Sequence, residues 1–557
     1  MIDSVVKTAA TKPQFSIAYE STELLKGEAV LRLLNDEHFL NEWDQLYNSC
    51  PWATVFQSRA YVAPWYRFYA KECLPILVKT TYGGALTGLF TLAIDNKKGI
   101  ITGAGTSQAE YQAWLTTDTS DGAFIKKALT EIRKHFPKYN ILIKYVPPHV
   151  SLNWAKNDSG WSRNCYVKPY RDPLMVINDE HLTAELKKKN RREKMNRLKR
   201  MGELKFERIT DYQQFAAIID ELALQADLRK GSRYNKVIFQ NEPVRKEFFL
   251  ELFEQGILHV TVLKLNDTII ASNVGMSGKH QLYLQGMNSH AAAYSKHSPG
   301  IIHFLLLGKL LAEEAVDAFV LTPGEDAYKE ILATDHTEVY TLEIGNNFCR
   351  LKNQLKEGFN NQIKKAGIVV GIRTPERKKL QRDITVFKEK VRALKKQGYS
   401  SLLSYFASRL KRKNKTKQCW QIPIPPGDTD KIPTVQKDNL SHLVDFKKGA
   451  TIYTRQEFLT DALQRFEEGE HCYTWAENDT LLACAWIVNP KLSLSEYGIP
   501  DQAVVLSGLY WHPKYKEQLL SFLHSVAAKA NPDNRSSSIY IVTNINDYRI
   551  INKAVSC

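Results

Sequence analysis

The stretch Gln281–Lys329, QLYLQGMNSHAAAYSKHSPGIIHFLLLGKLLAEEAVDAFVLTPGEDAYK, constrains the fold more than any other part of the chain. It reads as strand, polar loop, Ser-Pro-Gly, apolar helix, strand, and a turn that ends in Tyr328 and Lys329. A strand that feeds a helix leading into another strand belongs to the α/β architectures. The polar loop aims unpaired backbone N–H groups and the positive end of a helix dipole at one point, which suits a phosphate or pyrophosphate. Ser295 and Ser298 are N-cap residue types, Pro299 fits the first helical turn, Gly300 follows it, and Lys296 adds positive charge. An ordinary capped core helix would use the same capping residues, so spacing alone leaves both readings open.

At 557 residues the chain exceeds one ordinary core, and length predicts roughly three or four domains. With 43% hydrophobic and 24% charged residues it is neither wholly disordered nor collagen-like. A net charge of +16 points to an anionic partner: a phosphorylated cofactor, a nucleic acid or an acidic membrane surface. The eight cysteines are scattered, with no C-x-x-C and no Cys/His cluster at zinc spacing, so reduced thiols and no metal site are expected. The start of the chain lacks a charged segment followed by an apolar one, and no secretory signal is expected. The longest apolar run, Ile301 to Leu311, is interrupted by His303 and Lys309 and falls short of the roughly 18 residues of a membrane span. The expected location is cytoplasmic, at most peripheral to the inner membrane.

Five segments are expected. Residues 1–29 are an N-terminal extension, and residues 30–180 a first α/β lobe. In that lobe the strands LPILVKTTYGG and ALTGLFTLAI meet at a Gly-Gly hairpin signal, followed by a helix from Phe124 to Phe136 and the strand NILIKYV. Residues 181–372 form a second lobe. It opens on one basic helix, LTAELKKKNRREKMNRLKRMG, and continues through helices Tyr212 to Leu228 and Glu242 to Gln255 to the strands LHVTVLKL, TIIASNVGMS and QLYLQGMN. Residues 373–448 are a basic helical segment and a Pro/Gly-rich linker. Residues 449–557 are a third α/β unit built on a helix from Arg455 to Glu468 and four strands.

Several of these motifs carry a resemblance. Tyr294, Ser298, Pro299, Gly300, the run Ile301 to Leu311, and then Pro323, Gly324, Tyr328 and Lys329 resemble the core of the BioF-like and CelD-like acetyltransferases, relatives of the FemAB aminoacyl transferases within the GNAT superfamily. The first lobe is similar to the amino-terminal half of that group at Phe56, Ser58, Tyr61, Trp65 and Tyr66, and again at Gly103, Gly105, Ser107 and Tyr111. The resemblance implies an α/β fold of tandem GNAT-like lobes with mixed central sheets and a substrate groove between them. The third unit resembles another GNAT core, a degenerate one: Pro513 to Leu519 has no glycine where an active core admits a pyrophosphate, and Glu517 would repel it.

Acyl transfer from a thioester to an amine needs a seat for the pyrophosphate, donors for the developing oxyanion and a base for the amine. The seat is assigned to Ser295, Lys296, Ser298 and Gly300, with acetyl-CoA or another acyl-CoA as the donor. Tyr328, Lys329 and Glu325 follow a strand end, where ligands of open α/β sheets sit. Tyr328 is read as the acid for the departing thiolate or a substrate-orienting group, Lys329 as a partner of phosphate or carboxylate, and Glu325 as base. Asn273 and Gln285, on central strands, are read as substrate-binding amides. The implied acceptor is an amine on a sugar, an amino acid or an envelope-polysaccharide precursor. Two alternatives stay open. One is a FemAB-type transferase that uses aminoacyl-tRNA, with the helix from Lys187 to Arg200 holding tRNA or another anionic surface. The other is a non-catalytic accessory protein of a polysaccharide-synthesis complex, motivated by Val320, which stands where relatives often carry an acid, and by the glycine-free loop near Lys516.

Overall fold

The computed structural model describes residues 19–118, 122–324, 326–345, 349–355, 357–358, 418–423, 434–446, 454–488, 504–515, 518–530 and 538–543. A first, thirteen-stranded sheet contains β1 (Glu20–Lys26), β2 (Cys73–Tyr82), β3 (Ala85–Asp95), β4 (Ile100–Gly103), β5 (Leu115–Thr116), β6 (Asn140–Val146), β7 (Cys165–Val176), β8 (Leu204–Ile209), β9 (Leu258–Leu265), β10 (Thr268–Ser277), β11 (Gln281–His290), β12 (Ala318–Val320) and β13 (Asp335–Ile344). Its order is β1-β2-β3-β4-β6-β13-β7-β12-β11-β10-β9-β8, with β5 paired to β3. The pairs β4/β6 and β11/β12 are parallel and the rest antiparallel, so the expected mixed α/β architecture is present. The predicted hairpin joins β2 and β3, and Gly83 and Gly84 take φ of 58° and 90°, the left-handed values a two-residue turn requires.

The two lobes meet by exchanging strands. β7, from the first stretch of chain, pairs with β12 through Leu174–Val176, whereas β13, from the second, pairs with β6. β7 and β13 then pair with each other along ten residues. Instead of two adjacent sheets, one sheet runs through both lobes.

Four helices of the second lobe position the site: α1 (Lys189–Met201), α2 (Tyr212–Tyr234), α3 (Pro299–Glu313) and α4 (Ala327–Leu332). The single basic helix expected from Lys187 to Arg200 is broken: Lys188 adopts ψ 134°, ending the helix Asp179–Lys187 before α1 begins. Glu185 pairs with both Lys188 and Arg191 across this break. α2 runs six residues past the expected Leu228, from an Asp211 cap that accepts from the Gln214 N–H to Asn235 at φ 56°. The polar loop before α3 contains a 3-10 turn, Ala292–His297. α3 buries Phe304, Leu305 and Leu311 against Phe319, Leu321 and Met175 of the sheet. Each such side chain contributes about 1.5–3 kcal/mol on burial.

A second sheet holds β14 (Gln418–Pro423), β15 (Gln436–Lys437), β16 (His471–Glu477), β17 (Thr480–Ile487), β18 (Val504–Trp511) and β19 (Ser538–Thr543), in the order β14-β19-β18-β17-β16-β15. It draws β14 and β15 from the stretch read as linker. Its helix α5 (Arg455–Glu468) begins in a capping box between Thr454 and Glu457. Lys516 and Glu517, like the basic run from Arg373 to Lys417, lie outside the described residues. No helix among the described residues is long and apolar enough to cross a membrane.

α5 packs directly on α2. Leu459 and Phe458 share a core with Leu228, Val237 and Ala292, while Thr460 Oγ1 donates to the Ser232 carbonyl at 3.0 Å and Gln456 Nε2 to that of Arg233 at 3.1 Å. A Cβ at Gly231 would stand 2.5 Å from Leu459 Cδ1 and 3.2 Å from Val237 Cγ1. Because Leu459 is itself fully buried, the wedge has nowhere to go. Gly231→Val is expected to lower unfolding stability by about 1–3 kcal/mol, read by urea titration; an unchanged midpoint would disprove this close packing.

Candidate functional site

β11 and β12 run parallel but pair only through Gln281–Tyr283 and Ala318–Val320, although β11 continues to His290. Past Tyr283 a bulge sets residues 284–286 against Gly275 alone on β10, bending β11 away. The strands therefore fork at their C-terminal ends, the place where open α/β sheets receive ligands. A cavity of about 660 Å³ opens there. α2 contributes Arg229 and Arg233 to its wall, β11 Asn288 and His290, the 3-10 turn Ser295, α3 Gly300 and Phe304, α4 Tyr328, and α5 Phe466 and Glu467.

The start of α3 is open to a ligand. Ser298 occupies the cap position at φ 51°, and its side chain caps no helical N–H. Instead its Oγ accepts from Lys194 Nζ of α1 at 2.8 Å, while its carbonyl takes the N–H groups of Ile301 and Ile302. Pro299 has no N–H, and the N–H of Gly300, on the cavity wall, has no acceptor among the described residues. Burial lowers the pKa of His297, and the charges of Lys296, Arg197 and Lys194 lower it further. Positive charge thus gathers at this helix end, and part of it comes from the basic helix α1.

Tyr328 lies on the same wall, its ring stacked on Phe304 at 5.9 Å and 11°. Burial pushes its hydroxyl up to about 12 against the opposing effect of Arg229, so it is a proton donor at neutral pH. Arg229 donates to Asn288 Oδ1 at 2.5 Å, and Arg233 pairs with Asp326 at 3.1 Å. His290 and His303 on the wall are neutral, held down to about 4 and about 3 by burial. His303 is 1% exposed and its Nε2 has no partner among the described residues, an unmet polar atom beside the cavity.

The other predicted residues separate. Ser295 is on the wall with its Oγ buried and turned toward Glu467, whereas Lys296 is exposed and off the wall. Lys329 is buried and turns its ammonium to the Thr322 carbonyl at 2.9 Å and Oγ1 at 3.1 Å, bracing the turn after β12. Asn273 and Gln285 are buried in β10 and β11, away from the wall, with Asn273 directly opposite Asn288. Both Asn273 amide atoms and Gln285 Nε2 lack partners among the described residues. Glu325 lies outside the described residues. Sequence reasoning missed Arg229, Arg233, Asn288, Phe466 and Glu467; they reach the cavity only through folding of distant segments, and no local motif marks them.

Residues 186–330 match the model of the acetyltransferase (GNAT) domain family. That span holds α1 through α3 and the start of α4, and with them the Ser298–Gly300 turn and Tyr328. Solved structures similar to the chain include FemX, with 12% identity and a TM-score of 0.40 over 55% of this chain and 96% of FemX. A tandem GNAT protein from the clavulanic acid biosynthesis pathway has 11% identity and a TM-score of 0.36 over 58% of this chain and 98% of its own. A conserved protein of unknown function from Bacteroides thetaiotaomicron VPI-5482 has 14% identity and a TM-score of 0.37 over 55% and 97%. No curated protein matches the chain. The likeness to the acetyltransferase (GNAT) family thus falls within the second lobe.

Proposed function

We propose that the protein is an N-acyltransferase that takes an acyl group from acyl-coenzyme A and passes it to an amine. The observation that carries this reading is the convergence of the unpaired Gly300 N–H and the Tyr328 hydroxyl on one cavity at the β11/β12 fork. A diphosphate at Gly300 would meet a free N–H, the positive end of α3 and the Lys194 charge. Tyr328 would then hydrogen-bond the thioester sulfur as it departs. The acceptor class, an amine of a sugar, amino acid or polysaccharide precursor, follows from the sequence resemblance and belongs to the proposal.

Isothermal titration with acetyl-CoA tests the donor half directly. A dissociation constant in the micromolar range is expected, and no binding at millimolar ligand would refute the acyl-CoA reading and leave the aminoacyl-tRNA transferase and the accessory protein. Arg229→Gln should weaken that binding about tenfold, the loss expected for one charge-assisted hydrogen bond. Neutralising Lys187, Lys188 and Lys189 bears on the aminoacyl-tRNA alternative: a salt-sensitive tRNA complex lost in the triple variant would favour it.

A further inference from the structure

The strand exchange brings to the fork a carboxylate that no motif announces. β7 lies beside β12, with Leu174 opposite Val320 and the Leu321 N–H donating to the Pro173 carbonyl at 2.9 Å. The adjoining residue of β7, Asp172, therefore stands level with Thr322, whose carbonyl and hydroxyl hold Lys329. Asp172 is 3% exposed, and both its oxygens accept from one hydroxyl, that of Tyr111, at 2.9 and 3.0 Å. The ring of Tyr111 lies 5.3 Å from that of Tyr283, the last β11 residue paired with β12. Asp172 and Tyr111 thus sit where the two strands part, on the side facing the first lobe.

A carboxylate can accept about four hydrogen bonds. Among the described residues Tyr111 is the only donor to this one, and no ion-pair partner reaches it. A buried carboxylate so incompletely matched costs stability, and a ligand carrying several N–H donors and a positive charge would complete it. We propose that Asp172, steadied by Tyr111, seats the primary ammonium group of the acceptor and removes its proton before attack, an inference that rests on the acyl-transfer reading above. The ammonium gives one proton to Asp172, the nitrogen bonds to the thioester carbon, and the carbon–sulfur bond breaks. The second nitrogen proton ends on the departing sulfur, and Asp172 later returns its own to solvent.

The electrostatics agree with that role. Burial pushes the Asp172 carboxyl up to about 7, opposed by the Tyr111 hydrogen bond and the Lys329 charge and assisted by Glu110. Glu110 is itself paired with Lys144 at 2.6 Å, and Tyr145 and Tyr283, which also face Asp172, are held protonated by burial. Across β13 the opposing residue is Thr337. Because the folded pKa lies above the ordinary carboxyl value, the associated stability is complete in acid and disappears as pH rises through about 7.

Asp172→Asn is the test, read in two ways. Melting should rise by several degrees at pH 8 and by less at pH 5, where the folded carboxyl is still protonated while the unfolded one is already ionised; a lower melting temperature at pH 8 would mean a structural carboxylate and overturn the proposal. In the second reading, release of coenzyme A from acetyl-CoA is followed with a mixture of amino sugars and amino acids. The variant should lose about 100-fold in turnover while its affinity for acetyl-CoA stays within about twofold of wild type, the scale of one weak contact. Tyr111→Phe should lose less turnover than Asp172→Asn and shift the acidic limb of the pH profile to higher pH, since its hydrogen bond lowers the Asp172 pKa. Turnover by Asp172→Asn at the wild-type rate would sink the assignment and leave donor binding untouched. Failure of the wild type to bind acetyl-CoA would instead remove the acyl-CoA reading, with the melting comparison still deciding whether Asp172 is a structural group.

Discussion

Gly300→Glu should abolish binding of acetyl-CoA, whereas Gly300→Ala should bind within about tenfold of wild type. The difference follows from the space around the residue. A Cβ at Gly300 finds its nearest neighbour, His290 Nδ1, at 3.6 Å, an ordinary contact, so alanine fits the first turn of α3 without displacing anything. A glutamate would project its carboxylate into the cavity toward the point at which the helix end, Lys194 and Arg229 direct positive potential. Two unit charges about 4 Å apart repel by about 4 kcal/mol at an effective dielectric near 20, which corresponds to roughly a thousandfold in affinity, and a diphosphate carries more than one charge. The new carboxylate would also compete for the unpaired N–H. Calorimetry on the two variants decides the matter: equal affinities would show that the donor's phosphates lie elsewhere.

Much of this arrangement was legible in the chain before folding, and the reason is local. The Gly83–Gly84 turn, the capped start of α5 and the βαβ run through α3 each depend on residues within a few positions of one another, so composition and spacing reveal them. Tyr328 and Gly300 line the same cavity, and both sit at the ends of strongly patterned elements, where spacing singles them out. What escaped was non-local. The pairing of β7 with β12 joins positions far apart in sequence and decides that Asp172, and not a residue of β12 itself, stands at the fork. Lys329 carries the right charge in the right motif, yet its ammonium is directed to Thr322, because the left-handed turn at φ 62° leaves a carbonyl that needs a donor. The break at Lys188 was equally hidden: lysines favour helix, and Glu185 meets Lys188 and Arg191 across a break that local preference does not announce. The contribution of α5 to the cavity depends on an interface between segments more than two hundred residues apart, which no periodicity encodes.

Tyr328→Phe should reduce turnover by about 100-fold or more while leaving acetyl-CoA affinity and thermal stability close to wild type. Stability is spared because the hydroxyl has no hydrogen-bond partner among the described residues, and a phenylalanine would keep the stack on Phe304. Binding is spared because the anionic part of the donor is assigned to the α3 end, served by Gly300 and Lys194 instead of Tyr328. The chemical step is not spared. A hydroxyl held at about 12 keeps its proton throughout the neutral range, so it can donate to the sulfur as negative charge develops there but cannot serve as the base. Its tight hold on the proton also argues against a free tyrosinate intermediate: the proton given to sulfur must be replaced in the same step by the second proton of the attacking nitrogen. The variant's rate should therefore fall by a similar factor at every pH between about 6 and 9, since no titration of Tyr328 occurs there. A deficit that grew or vanished across that interval, or a matching loss of donor affinity, would assign Tyr328 to binding and return the acid role to another group.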